Sequence, residues 1–364
     1  MLKAELRKTW SRPLIAAAFL LVCLAQVLYA FMNCSPQARE LSSACNAIGG
    51  QMDDTWRQSV RARYEELWET PPESGEDMYS ATFEQRAILT AYDYTFFTEM
   101  LDSYVSALDQ TYGGAAAEAY AALRETSESG RLVFGTSPAG ETMRDQYMVG
   151  WGFLIFMMLL CVDQFSGERE IGMSPMQRVT KQGRRKLFRT KLLVCQLSGA
   201  AVWAASNLTY ALTLTARCGW GNLQSVIQDF SFNACPYDWN AGEYLAITLL
   251  TGLAASQLTG LAIFLLARTG RSTQRSFALM GGVLILPYLL AFLTKHAGLA
   301  LWLPCLLNGQ WLWSGLRILQ IGGWDLQLWS IAAAELMLVA VIAVLALRRL
   351  MKTAETMEET KNEI

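Results

Sequence analysis

Few residues of this 364-residue sequence are placed to do chemistry. Glu335 is the single charge in the apolar run Leu326–Leu347. A carboxylate at that depth costs several kcal/mol and faces protein or water rather than lipid. It could line a substrate path, pair with a polar neighbour such as Gln257, or be protonated and packed. One acid without an intramembrane base makes no proton relay, so packing is the favoured reading. Cysteines are the other reactive group. Cys23, Cys161 and Cys195 lie in or at the spans, whereas Cys34, Cys45, Cys218, Cys235 and Cys305 are expected to face outward. Disulfides persist on the oxidising side of a membrane, and the spacing predicts two short loops, closed by Cys34–Cys45 and Cys218–Cys235.

Other catalytic patterns are missing. No G-x-x-x-x-G-K-[ST] is present to cradle nucleotide phosphates, and no H-E-x-x-H. His296 is the only histidine, which excludes a multi-histidine metal centre within one chain. No C-x-x-C occurs. Gly135-Thr136-Ser137-Pro138-Ala139-Gly140 resembles a nucleophile elbow only superficially, because the spacing is wrong and a proline follows the serine. No catalytic residue, no metal site and no cofactor on this chain are expected.

The elements that carry these residues are read from composition. The sequence is 52% hydrophobic and 17% charged, against roughly 25% charged in soluble domains, and mean hydropathy is positive, +0.21. This argues against a disordered or nucleic-acid-binding chain. A membrane helix needs about 20 mostly apolar residues. Six runs qualify: 13–32, 146–162, 192–216, 244–267, 276–294 and 326–347. A seventh, 297–316, carries Pro304, Asn308, Gly309 and Gln310 at its centre. It reads as a re-entrant hairpin, whose irregular backbone must be shielded by protein. The expected fold is an all-α polytopic membrane protein with six transmembrane helices, a helical extracytoplasmic insert between spans 1 and 2, and a re-entrant hairpin before span 6. The first span is expected to be retained, since its 20 residues exceed the core of a cleavable signal peptide.

Lys and Arg in short loops set direction. Residues 1–12, 163–191, 268–275 and the tail 348–364 carry 19 of them, while loops 217–243 and 295–325 carry 3. This predicts cytoplasmic N- and C-termini. Residues 33–146 hold 8 Arg, no Lys and 19 Asp or Glu, so the insert over 33–145 is acidic and its arginines escape the rule, as in long translocated domains. Its helical signal is a stripe at Leu89, Tyr92, Phe96, Met100, Tyr104 and Leu108, read as bundle core rather than as a ligand groove. Asp53–Glu69 and Ala115–Ser127 are further helix formers, set off by breaks at Thr70–Gly75 and Gly113-Gly114. Gly252, Ser256 and Gly260 at i, i+4 and i+8 permit close helix approach. Residues 1–12 suit an amphipathic helix on the inner membrane surface, with Trp10 at headgroup level.

The loop 163–191 is the most specific segment. It opens with Asp163-Gln164-Phe165-Ser166-Gly167-Glu168-Arg169-Glu170-Ile171-Gly172 and continues with seven basic residues before span 3. Phe165-x-x-Glu168-x-x-x-Gly172, a following Thr180-x-x-Gly183-Arg184 and Leu187-x-x-x-Lys191 resemble the corresponding loop of ABC-2 type (type V exporter) ABC transporter permeases, and the layout of spans matches as well. The resemblance implies a bacterial plasma-membrane permease that pairs with a second copy or a paralogue. It implies separate ABC ATPase subunits that carry ATP and Mg. Phe165, Glu168, Arg169 and Gly172 would form the coupling helix seated on the ATPase, residues 1–12 a second contact, and 297–316 an external gate. The implied activity is export of an amphipathic, peptide or lipid-type substrate. The alternative is a mechanotransmission or sensing subunit that acts through its extracytoplasmic domain.

Overall fold

Among the described residues five helices are long and apolar enough to cross a membrane: Pro13–Asn33, Met148–Phe165, Lys186–Cys218, Ala241–Thr269 and Thr273–Ala291. The computed structural model describes residues 2–67, 81–112, 114–138, 142–143, 147–167, 183–228, 234–269, 272–294, 302–307, 313, 315–316, 318–321, 324–327, 330–342, 344–345 and 348. A short helix α1 (Leu2–Trp10) leads into α2 (Pro13–Asn33), which starts on Pro13, a residue suited to the first helical turn. The insert follows as α3 (Gln37–Ile48), β1 (Gly50–Gln51), α4 (Asp54–Leu67), α5 (Phe83–Tyr94), α6 (Phe97–Tyr112), α7 (Ala115–Glu128) and β2 (Val133–Phe134). Then come α8 (Tyr147–Val162) with a π-helical turn at Asp163–Gly167, α9 (Gly183–Cys218), α10 (Ala241–Thr269), α11 (Thr273–Met280), a second π turn at Gly281–Ile285, and α12 (Leu286–Thr294). A 3-10 turn (Leu303–Leu307), the strands β3 (Ile318–Ile321) and β4 (Trp324–Gln327), and the apolar helix α13 (Ser330–Ile342) complete the described chain.

The span bundle has a core built on α8, whose Phe153, Phe156, Met157, Leu160 and Cys161 are fully buried. By contrast Leu20, Leu24 and Leu28 of α2, Leu208 and Leu212 of α9, and Leu250 of α10 are exposed. Helices apolar on outward and inward faces alike are the pattern of lipid-embedded helices. The stripe Gly252/Ser256/Gly260 lies buried on α10. A Cβ at Gly252 would overlap the Trp203 ring, and one at Gly260 would sit 3.1 Å from the Met157 methyl group. Span 5 is interrupted just before Pro287, which has no N–H to give to the helix ladder, and the π turn takes up the break.

Several expectations are corrected. The run 326–347 does not begin as helix: Leu326 and Gln327 belong to β4, which pairs antiparallel with β3, and the helix starts at Ser330. Over Ser330–Ile342 it is shorter than a full crossing among the described residues. Among the described residues two small antiparallel two-stranded sheets, β1–β2 and β3–β4, also qualify the all-α expectation. Within the predicted hairpin 297–316, the described part is the 3-10 turn 303–307, fully buried against the bundle. The continuous stripe from Leu89 to Leu108 is broken at Thr95–Phe96. There α5 ends and α6 begins: Tyr92, Tyr104 and Leu108 of the stripe pack half-buried on the core, while the buried face runs through Ala87, Ile88, Ala91, Phe97 and Leu101. Thr70–Gly75 and Gly113 lie outside the described residues.

The insert is a helical bundle whose helices begin where their sequences supply caps. Thr82 and Gln85 form a reciprocal capping box at α5, at 3.3 and 2.8 Å, and Asp53 Oδ1 accepts from Trp56 N at 2.7 Å at α4. Its core also takes in Val226 and Leu316.

Candidate functional site

The end of the bundle that carries the basic residues holds a set of polar contacts between spans. α8 passes directly into a π-helical turn over Asp163–Gly167. Three neighbours fix this turn. Arg12, between α1 and α2, hydrogen-bonds and ion-pairs with the Asp163 carboxylate. Lys191 of α9 is buried and donates its ammonium to the Gln164 carbonyl at 2.7 Å, while lying 5.2 Å from the centre of the Phe165 ring. Phe264 of α10 meets the Phe165 ring edge-on, centroids 4.9 Å apart, and also meets Phe188 at 5.4 Å; Arg268 caps Phe188 at 4.9 Å. A buried ammonium needs such hydrogen bonding to be tolerated. The turn is thus tied to α1–α2, α9 and α10 together.

The short helix α1 is part of the same assembly. Trp10 Nε1 donates to Ser198 Oγ at 3.2 Å, and its ring packs on Phe19 and Phe156 at 5.3 and 5.9 Å. α1 is thus packed against α2, α8 and α9 through aromatic rings and a hydrogen bond.

At the opposite end, Cys34 after α2 is bonded to Cys218 at the end of α9. Arg217 Nε donates to the Cys34 carbonyl at 2.8 Å and its guanidinium lies over Phe31 at 4.3 Å. This replaces the expected pairs Cys34–Cys45 and Cys218–Cys235: the helix ends bring Cys34 and Cys218 together, while Cys45 is buried in the insert core and Cys235 beside the spans. Burial pushes the Cys235 thiol up to about 12 from its ordinary 9.0. Residues Val226, Gln228 and Ala234 are clamped onto the insert. Val226 N donates to the Val133 carbonyl at 2.8 Å, Tyr94 OH to the Gln228 carbonyl at 2.9 Å, and Tyr120 OH to the Ala234 carbonyl at 2.5 Å. Gly221, at φ +64°, lies against the Thr136 carbonyl, a backbone approach that leaves no space for a Cβ.

Of the residues singled out from sequence, Phe165 sits in the wall of the anchored turn, while Glu168, Arg169 and Gly172 lie outside the described residues. Glu335 is half-buried on α13 and within electrostatic reach of Cys305 in the 3-10 turn. Gln257, its suggested partner, donates instead to Ser256 Oγ at 3.4 Å. Sequence reasoning placed Arg12, Asp163 and Lys191 at the ends of spans but did not bring them together. Their signal was present: an Arg and an Asp of opposite charge flank apolar runs at one end of the bundle, and a Lys stands one residue before the third run. Among the described residues no three His, Cys, Asp or Glu side chains converge as a metal site. Compared with known protein families, characterised proteins and solved structures, the chain matches none.

Proposed function

We propose that the chain is the membrane-spanning permease subunit of an ATP-driven ABC exporter in a bacterial plasma membrane, with both termini cytoplasmic. It pairs with a second permease copy or a paralogue, draws on separate ATPase subunits that hold ATP and Mg, and moves an amphipathic, peptide or lipid-type substrate. The observation that carries this reading is the turn Asp163–Gly167, anchored to three elements at the point where the segment with Glu168, Arg169 and Gly172 departs. A segment that receives force from an ATPase must be stiffly joined to the spans it moves. The ATP-bound ATPase must also favour one arrangement of the spans through differential contacts. The Cys34–Cys218 bond at the other end supports an oxidising, outward placement of the insert. The test is copurification from native membranes, where a P-loop ATPase lacking spans should accompany the parent. A Glu168→Arg variant that holds the ATPase as tightly as the parent refutes the coupling role.

A second reading, mechanotransmission through the insert, is favoured by the clamp of Val226, Gln228 and Ala234 onto α5, α7 and β2. This clamp joins the insert to both α9 and α10, so span movement would reach it directly. Deletion of residues 50–130 separates the two: continued ATP-dependent transport into vesicles argues against the mechanical role.

A further inference from the structure

Cys161 on α8 and Cys195 on α9 place their sulfurs 3.2 Å apart, and both residues are fully buried. One turn away on each helix, toward the insert, stand Met157 and Gly199, and a Cβ at Gly199 would lie 3.3 Å from the Met157 sulfur. The third helix, α10, closes the group at Gly260: its carbonyl is 4.0 Å from Cys195 Sγ, and a Cβ at Gly260 would lie 3.1 Å from the Met157 methyl group. Two buried thiols thus meet at a junction of three spans, with the buried Met157 thioether one turn away on α8. One turn from Cys195 in the other direction lies Lys191, the buried ammonium that donates to the Gln164 carbonyl.

We propose that Cys161, Cys195 and Met157 form a binding site for Cu(I), independent of the permease reading. Thiolate and thioether sulfur select this soft cation, whereas the harder divalent metals prefer imidazole and carboxylate, which this group lacks. The balance is an exchange without redox change: Cu(I) enters, two metal–thiolate bonds form and the two thiol protons leave. The bound centre carries one net negative charge. An isolated anion in this interior would be heavily penalised, and Lys191 on the same face of α9, at i and i+4 from Cys195, supplies the compensating positive charge. Metal–thiolate bonds of about 2.3 Å set sulfurs about 4 Å apart in a trigonal site. The two thiols therefore separate by under about 1 Å from their present spacing, within reach of small side-chain rotations. An occupied site joins α8 to α9 one turn from the anchored turn, so metal occupancy would stiffen that end of the bundle.

The competing explanation is that both cysteines serve only as small apolar side chains, the usual role of buried free thiols. The experiment is anaerobic titration of the full-length protein in nanodiscs with Cu(I) delivered as its bicinchoninate complex, followed by X-ray absorption at the copper edge. The expected result is one tightly held equivalent with a shell of three sulfurs and no nitrogen or oxygen. Cys161→Ser and Cys195→Ser should each lose that equivalent. Met157→Leu, which conserves volume and should fold normally, should retain copper with two sulfurs in its shell. A parent protein that takes no copper from the chelator overturns the proposal. So does a copper shell containing nitrogen or oxygen, or one unchanged by Met157→Leu.

Discussion

Replacing Lys191 by Met should loosen the turn at Asp163–Gly167 while leaving the rest of the span bundle intact. The parent side chain contributes a charged hydrogen bond of 2.7 Å to the Gln164 carbonyl and a cation–ring contact of 5.2 Å with Phe165. The first is worth about 1.5–3 kcal/mol and the second about 0.5–1 kcal/mol. Part of this is offset, because Met removes a buried ammonium and its desolvation penalty. A net loss of about 1–2 kcal/mol is expected, a roughly 5- to 30-fold rise in the population of the opened turn. Hydrogen–deuterium exchange in nanodiscs measures that population directly: amides of 163–167 should exchange faster by that factor, with those of α10 unchanged. Arg12→Gln should have a smaller effect, below about 1 kcal/mol, because the Arg12 and Asp163 side chains remain 25% and 26% exposed and water screens the pair. Unchanged exchange over 163–167 in Lys191→Met, or uniform loosening of every span, would refute the view that this lysine holds the turn.

Three further outcomes are expected. Gly252→Ala should lower the melting temperature, because its Cβ must displace the Trp203 ring, whose Cη2 lies 2.8 Å from that position; overpacking of about 1–3 kcal/mol exceeds the ~1 kcal/mol that Ala gains over Gly in a helix, and Trp203→Phe should restore part of the loss. Non-reducing peptide mapping should recover Cys34 joined to Cys218; recovery of Cys34 joined to Cys45 would contradict the fold at the ends of α2 and α9. Cys235 is raised by burial from 9.0 to about 12, so its stabilising contribution is complete below pH 9 and is lost as pH rises through about 12. Melting temperature should therefore fall between pH 9 and 12, and more steeply in the parent than in Cys235→Ala; identical slopes would show that this thiol does not contribute.

The legible part of the fold was the part governed by local composition. The cores of five apolar runs became helices close to their expected limits, because a lipid-embedded segment must satisfy its own backbone and so reports its length in sequence. The small-residue stripe on α10 was likewise readable, since close approach demands the absence of side chains. The insert was legible as helices but not as a stripe. The break at Thr95–Phe96 shifts the helical phase, so the buried face passes to Phe97 and Leu101. The start of the last helix was misplaced because Leu326 and Gln327 are apolar or neutral enough to extend the run, while their backbone bonds go to β3.

The sequence by itself determined the membrane character of the chain, the helices that carry it, the acidic composition of the insert and the absence of known nucleotide or metal motifs. Tertiary structure alone decided the pairings. Cys34 meets Cys218 across 184 residues, Cys161 meets Cys195 across 34, and Arg12 meets Asp163 across 151. Each of these contacts joins different helices, and which faces of two helices meet depends on packing over the whole bundle. A periodic pattern shows that a helix has a buried face, but it leaves open which neighbour covers it.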